Sequence, residues 1–232
     1  MLSVSRVVVL LLLLAACAPV APAQTGASLA RDLFEPKRAE AEELAAGSQT
    51  AGGPFGLEKS VNEYGVWGSI SPDSPTLIGG TQDARLAILG LRYARILARG
   101  EHVALKYTVD AVPFASLSFP WPEPSNLSAR KRITGAGLAP VGFQVNFRRR
   151  EKWQPFAQAS GGFIYFGERV PDRDGAQFNF TADFGGGVQW KAGARRAWTI
   201  GYRYQHLSNG YRAGNNPGFD ANLFYVGYSI YR

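Results

Sequence analysis

His102-Val103-Ala104-Leu105-Lys106-Tyr107-Thr108-Val109-Asp110-Ala111 alternates without a break between two kinds of side chain. Val103, Leu105, Tyr107, Val109 and Ala111 share one parity, and His102, Ala104, Lys106, Thr108 and Asp110 share the other. Successive residues of a β-strand point to opposite faces, so this segment is a strand with one greasy and one polar side. A lysine and an aspartate on the polar side cost too much in a soluble apolar core. They fit a barrel whose lipid face is outside and whose polar face is inside.

The same pattern recurs. Val141, Phe143, Val145 and Phe147 alternate with Gly142, Gln144, Asn146 and Arg148, and Phe178, Phe180, Ala182, Phe184, Val188 and Trp190 alternate with Asn179, Thr181, Asp183 and Gln189. Eight such segments are predicted, at about 61–71, 84–96, 101–112, 136–148, 154–166, 177–190, 197–208 and 221–231. An even number permits antiparallel closure. Short connections follow the second, fourth and sixth segments and long ones follow the rest, the asymmetry of short periplasmic turns against long external loops. Trp153, Trp190 and Trp198 flank the short turns, where an aromatic girdle meets the membrane interface. The expected fold is therefore all-β, an eight-stranded antiparallel transmembrane β-barrel of the outer membrane.

The rest of the chain agrees. Its 232 residues suit one domain, and beyond the N-terminus no apolar run approaches the roughly 18 residues of a transmembrane helix. Twenty-seven glycines and 12% aromatic residues favour many short strands and turns. Arg6 followed by the apolar run Val7 to Leu14 and then small residues is built like an export signal. Two processing readings stand: cleavage after Ala21-Pro22-Ala23, or a lipoprotein signal ending before Cys17 in Leu14-Ala15-Ala16-Cys17. Residues 1–23 are thus expected to be a signal peptide, 24–59 a periplasmic arm rich in Ala, Gly, Glu and Pro, and 60–232 the barrel. The chain closes on Tyr228-Ser229-Ile230-Tyr231-Arg232, near the aromatic-terminated last strand of bacterial barrels except that an arginine follows the aromatic. In an exported protein the net charge of +7 meets anionic lipid head groups, and nucleic acid is not an expected partner.

No phosphate-binding glycine loop, nucleophile elbow or His/Cys cluster at metal spacing occurs, so neither metal nor cofactor is expected. One segment nevertheless concentrates chemistry: Tyr202-Arg203-Tyr204-Gln205-His206-Leu207-Ser208-Asn209-Gly210, followed by Asn216-Pro217-Gly218-Phe219-Asp220. His206 and Ser208 are two apart, hence on one side of a strand with bases roughly 7 Å apart, and they share parity with the lipid-facing Ile200, Tyr202 and Tyr204. A serine needs a base to take its proton, and a histidine held by a carboxylate is the usual one. Asp220 has the parity of Phe224, Val226 and Ile230 and completes the trio. Eight residues separate Trp198 from His206, a climb of about 20 Å on a strand tilted by about 40°, to the outer edge of the apolar band.

The run His206-x-Ser208-Asn209 at the end of the penultimate strand, the Asn-Pro-Gly turn and an acid fourteen positions after the histidine resemble the outer-membrane lipid A 3-O-deacylase family. That resemblance implies hydrolysis of an ester-linked acyl chain of lipid A in the outer leaflet, with Ser208 as nucleophile, His206 as general base and Asp220 orienting it. Asn209, with Gly210 after it, is the candidate support for the oxyanion. The resemblance departs at two positions: the family pattern has Glu at Asp220 and Ala at Gly210, and the shorter Asp requires a closer strand or a shifted turn. Arg130-Lys131-Arg132, assigned to the long connection after the third strand, is the candidate for lipid A phosphates. His102 is expected to hydrogen-bond inside the barrel, and Phe119 to Pro124 to form a stiff surface loop. The competing reading is a non-enzymatic structural or adhesive barrel; a pore fits poorly, because side chains fill the interior of eight strands.

Overall fold

A computed structural model of the chain describes residues 62–121, 126–172 and 174–232. The expected signal peptide and periplasmic arm lie outside the described residues. Eight strands close into one barrel in chain order: β1 (Asn62–Ser71), β2 (Arg85–Arg99), β3 (Val103–Pro120), β4 (Arg130–Phe147), β5 (Trp153–Val170), β6 (Ala176–Lys191), β7 (Arg196–Ser208) and β8 (Phe219–Tyr231). β1 pairs antiparallel with β8 from Glu63↔Tyr231 to Ile70↔Phe224, so no strand edge remains, as hydrocarbon surroundings demand.

The alternation decides which side is which. Val66, Leu91, Val141, Phe143, Phe180, Phe184, Ile200, Phe224 and Val226 stand on the outer wall with 43–66% of their surface open. Lys106, Asp110, Gln144, Asn146, Gln189 and Arg203 are buried inside. Most of these charges are paired, while Asp183 takes only the Ser160 hydroxyl. Arg92 grips Asp110 through two nitrogens at 2.7 and 2.6 Å, Arg203 approaches the same carboxylate at 3.3 Å, and Lys106 meets Glu63 at 2.7 Å. Arg203 also lies over the rings of Trp67 and Tyr225 at 4.4 and 4.6 Å. Trp153 and Trp190 stack at 5.4 Å on the periplasmic rim, and Trp198 packs on Tyr228 at 5.0 Å, so the girdle expected from the sequence is present.

Three expectations need correcting. β3 and β4 run several residues farther outward than the alternation indicated, and Arg130, Lys131 and Arg132 lie in β4 rather than in a loop. The outer half of the interior is apolar, not polar: Leu86, Ile88, Leu117, Phe119, Ile133, Ile164, Phe166, Leu207 and Leu223 form a buried cluster there. Irregularities of register explain both. Between Val112 and Ala115 on β3 and between Leu138 and Val141 on β4 the ladder gains residues, which reverses the parity of everything beyond. Leu117 and Phe119 therefore turn inward, where each buried side chain contributes about 1.5–3 kcal/mol. His102, expected inside, sits in the turn before β3 with its side chain 80% exposed.

Asp110 is the hub of the interior charges, and removing it strands Arg92 and Arg203. Asp110→Ala is expected to cost about 3–5 kcal/mol. Urea titration of the refolded barrel, followed by heat-modifiable gel mobility, should show a lower midpoint; an unchanged midpoint would mean the network does not hold the wall together.

Candidate active site

β7 carries its outward residues up to the external rim, and β8 returns beside it with His206 directly opposite Asp220 in the ladder. Direct opposition brings side chains on one face within about 5 Å at their bases, which is how the shorter aspartate reaches the histidine. His206 Nδ1 lies 2.7 Å from Asp220 Oδ1. A carboxylate only accepts, so the imidazole holds its proton on Nδ1 and offers Nε2 as a base. Ser208, two residues on, stands half-buried on the same side of β7.

Although on the outward face, the Asp220 side chain is completely buried. Its cover is the β1–β2 connection, 72–84, which folds back against the start of β8. The N–H groups of Leu77, Ile78 and Gly79 all donate to Asp220 Oδ2, at 2.9, 2.8 and 3.0 Å. Gly80 N–H donates to Pro217 O at 2.7 Å, and the Thr81 hydroxyl and N–H both donate to Gly218 O, at 2.7 and 3.2 Å. One carboxylate oxygen thus satisfies the loop and the other satisfies the histidine. Tyr204, also on the outward face, is buried beside this group, while Leu77 and Ile78 expose 69% and 61% of their surface at the loop's tip.

Two glycines make the close approach possible. A Cβ on Gly79 would fall 2.6 Å from Phe219 Cα and 2.8 Å from its nitrogen. Gly218 adopts φ +61°, and a Cβ there would press on His206 Cε1 at 3.0 Å. In the sequence Gly218 is legible only as part of a turn, and 77–81 carries no mark of the site. The Gly79-Gly80 pair signals a tight approach, but nothing in the sequence names its partner.

The other candidates are distributed differently. Asn209 is 1% exposed and staples the β7–β8 connection: its N–H donates to Asn216 Oδ1 at 2.9 Å and its side-chain amide to Asn215 O at 2.6 Å. Gly210 adopts φ +63° over the ring of Phe180, which lies opposite Ser208 in the ladder. Arg130, Lys131 and Arg132 do not act together. Lys131 turns toward the barrel mouth, paired with Glu168 at 2.6 Å and over Trp121 at 4.8 Å. Arg130 is tied to Asp83 and to the Ser118 carbonyl, and Arg132 faces outward. No cluster able to hold a metal occurs among the described residues.

The fold is that of an integral outer-membrane barrel, and its lipid-facing wall ends in a histidine-carboxylate pair beside a serine. The sequence profile of the lipid A 3-O-deacylase (PagL) family matches residues 104–229, which include Ser208, His206 and Asp220, and the chain belongs to this family. It is an ester hydrolase of the Gram-negative outer membrane, a lipid A deacylase. No curated protein sequence matches it. Its fold resembles the crystal structure of the outer membrane enzyme PagL at 18% identity, over 72% of this chain and 98% of that one, with a TM-score of 0.52. The crystal structures of Neisserial surface protein A and of the outer membrane protein OprG from Pseudomonas aeruginosa align over 72% and 75% of this chain and 96% and 98% of theirs, each at 10% identity, with TM-scores of 0.43 and 0.44.

Gly79→Val should push 77–81 off the start of β8 and withdraw donors from Asp220. Loss of one hydrogen bond to a charged group, about 1.5–3 kcal/mol, corresponds to a roughly ten- to hundredfold slower deacylation. The measurement is lipid A turnover by a variant that keeps heat-modifiable mobility; full activity would show that the loop is dispensable.

Proposed function

We propose that the protein hydrolyses the acyl ester at the 3-O position of lipid A through a covalent acyl-serine. The observation that carries the reading is the His206–Asp220 hydrogen bond on the outward face of β7 and β8, two residues from Ser208 on the same face of β7. His206 Nε2 takes the Ser208 proton as Oγ attacks the ester carbonyl, and the ester oxygen of the sugar leaves with that proton. Water then attacks the acyl-serine, giving its proton to His206, and the fatty acid departs as Ser208 is restored. Asp220 stays ionised throughout and stabilises the imidazolium, and its loop donors keep it from rotating away.

Charge develops on the former carbonyl oxygen, which needs donors fixed in advance. Asn209 has committed its N–H and its side-chain amide to the loop. Its part in this reading is to fix the corner, and the N–H of Gly210 is the donor assigned to the oxyanion. The site opens toward lipid, and the exposed Leu77 and Ile78 seat the loop in the outer leaflet. The substrate arrives by lateral diffusion, with its acyl chain already in the hydrocarbon beside Tyr202 and Phe224.

Ser208→Ala and His206→Asn are each expected to lower deacylation by about three orders of magnitude or more, and the double variant should be no worse than either alone. Asp220→Ala removes both the orientation of His206 and the anchor of 77–79, so it should approach the loss seen with the other two. Mass spectrometry of lipid A from cells expressing each protein reads the result, and the position of the lost acyl chain tests the 3-O assignment. A fully active, properly folded Ser208→Ala would overturn the serine mechanism.

A further inference from the structure

Along β1 the outward positions facing the membrane are Val66, Gly68 and Ile70, and the glycine leaves a gap where its neighbours carry large side chains. Gly68 pairs with Leu89 on β2 and with Val226 on β8, both apolar and exposed, so the gap has a wall on either side. A Cβ on Gly68 would meet nothing nearer than a carbonyl oxygen at 4.0 Å. The gap opens into a groove of about 600 Å³ lined further by Val66, Tyr228, Trp198 and Arg196. Trp198 packs on Tyr228 at 5.0 Å, in the girdle that marks the periplasmic interface.

Arg196 stands at the foot of this groove. It begins β7 opposite Ile230, and the strand between Ile230 and Val226 spans about 13 Å. Arg195 precedes it in the turn from β6, where its carbonyl accepts the N–H of Tyr231 at 3.0 Å. Both arginines are exposed, and neither side chain has an ion pair or hydrogen bond among the described residues. They belong to a basic rim. Arg95, Arg148, Arg150 and Lys152 are also exposed at this end, where the exposed acids among the described residues are Glu101 and Glu151. The external rim instead mixes its cations with Asp73, Asp83, Glu168 and Asp174. Cations at a membrane interface that lack a partner in the protein are stabilised when the lipid supplies the anion.

We propose that this groove holds one anionic phospholipid of the periplasmic leaflet, with its phosphate at Arg195 and Arg196 and an acyl chain lying over Gly68 between Leu89 and Val226. Guanidinium matches phosphate through paired N–H donors held in one plane. A head group of net negative charge gains most from two added cations, whereas a zwitterionic one carries its own ammonium beside the phosphate. The groove descends from the apolar wall to the arginines, so a lipid standing in it keeps its chain in hydrocarbon and its head group at the girdle. β7 carries Arg196 and His206 at its opposite ends, and this lipid therefore occupies the leaflet opposite to the one His206 and Ser208 face.

The refolded protein in detergent is titrated with phosphatidylglycerol or phosphatidylethanolamine brominated along the acyl chains, which quench the indoles they touch. Quenching at Trp198 is read as the difference from Trp198→Phe. Two cations near the head group predict a roughly ten- to thirtyfold preference for phosphatidylglycerol. Arg195→Gln with Arg196→Gln should bring its affinity down to that of phosphatidylethanolamine. Gly68→Leu fills the gap and should weaken both lipids by about tenfold, while heat-modifiable mobility and lipid A deacylation stay unchanged. Equal affinity for the two phospholipids, or a preference that survives the double Gln substitution, would overturn the proposal. So would a folded Gly68→Leu protein that binds both lipids undiminished. If that variant raised KM for lipid A and left phosphatidylglycerol binding intact, the groove would belong to a substrate acyl chain and the proposal would fail as well.

Discussion

Hydrocarbon against the outer wall is the constraint from which the rest of the structure follows. A chain in lipid has no water to satisfy its peptide groups, so the sheet must close, and β1 meets β8 along its length. The outward parity is then greasy and the inward parity polar, the reverse of a soluble sheet. Inside, charges survive because they are paired: Asp110 takes Arg92 and Arg203, and Glu63 takes Lys106. Such pairs contribute little net stability but forbid rearrangement, since separating them leaves a charge buried alone. Toward the external rim the interior turns apolar, as in a soluble protein, because there the wall rises beyond the outward alternation.

The wall that carries Asp220 violates the rule, and the way it does so explains the loop 72–84. A carboxylate on the lipid side needs to be hidden from hydrocarbon and yet kept ionised. Three consecutive backbone N–H groups on one oxygen achieve both, since they desolvate the acid and replace its water with fixed dipoles. The loop is bound in turn by Gly80 and Thr81 to the backbone of 217–218. Folding of the loop and orientation of the histidine are therefore one event. The same segment exposes Leu77 and Ile78, and an exposed arginine begins the strand that follows it.

Alternation alone determined the fold class, the number of strands and the faces of their membrane-crossing halves, because hydrocarbon imposes a local rule that each residue obeys independently. It determined also that His206 and Ser208 share a face, since parity within one strand needs no partner. Parity put Asp220 on the same outward face, and family resemblance then supplied lipid A as the substrate. Strand ends are not legible where the chain leaves the membrane: beyond Ala111 and before Val141 the greasy alternation no longer applies, so alternation alone makes β3 and β4 short and puts Arg130 to Arg132 in a loop.

Only the closed barrel decided the rest. The added residues near Val112 and Leu138 reverse parity, a change of register that depends on the neighbouring strand and leaves no period in the sequence to detect. Those reversals turn Lys131 toward the mouth and bring Ser118 and Arg132 out beside Arg85, residues far apart in the chain and adjacent only through strand pairing. The donors to Asp220 come from backbone N–H groups about 140 positions away, which every residue but proline possesses, so no side chain could announce them. Pattern within a strand is written in its own residues; contact across the barrel exists only once closure has brought the strands and their loops together.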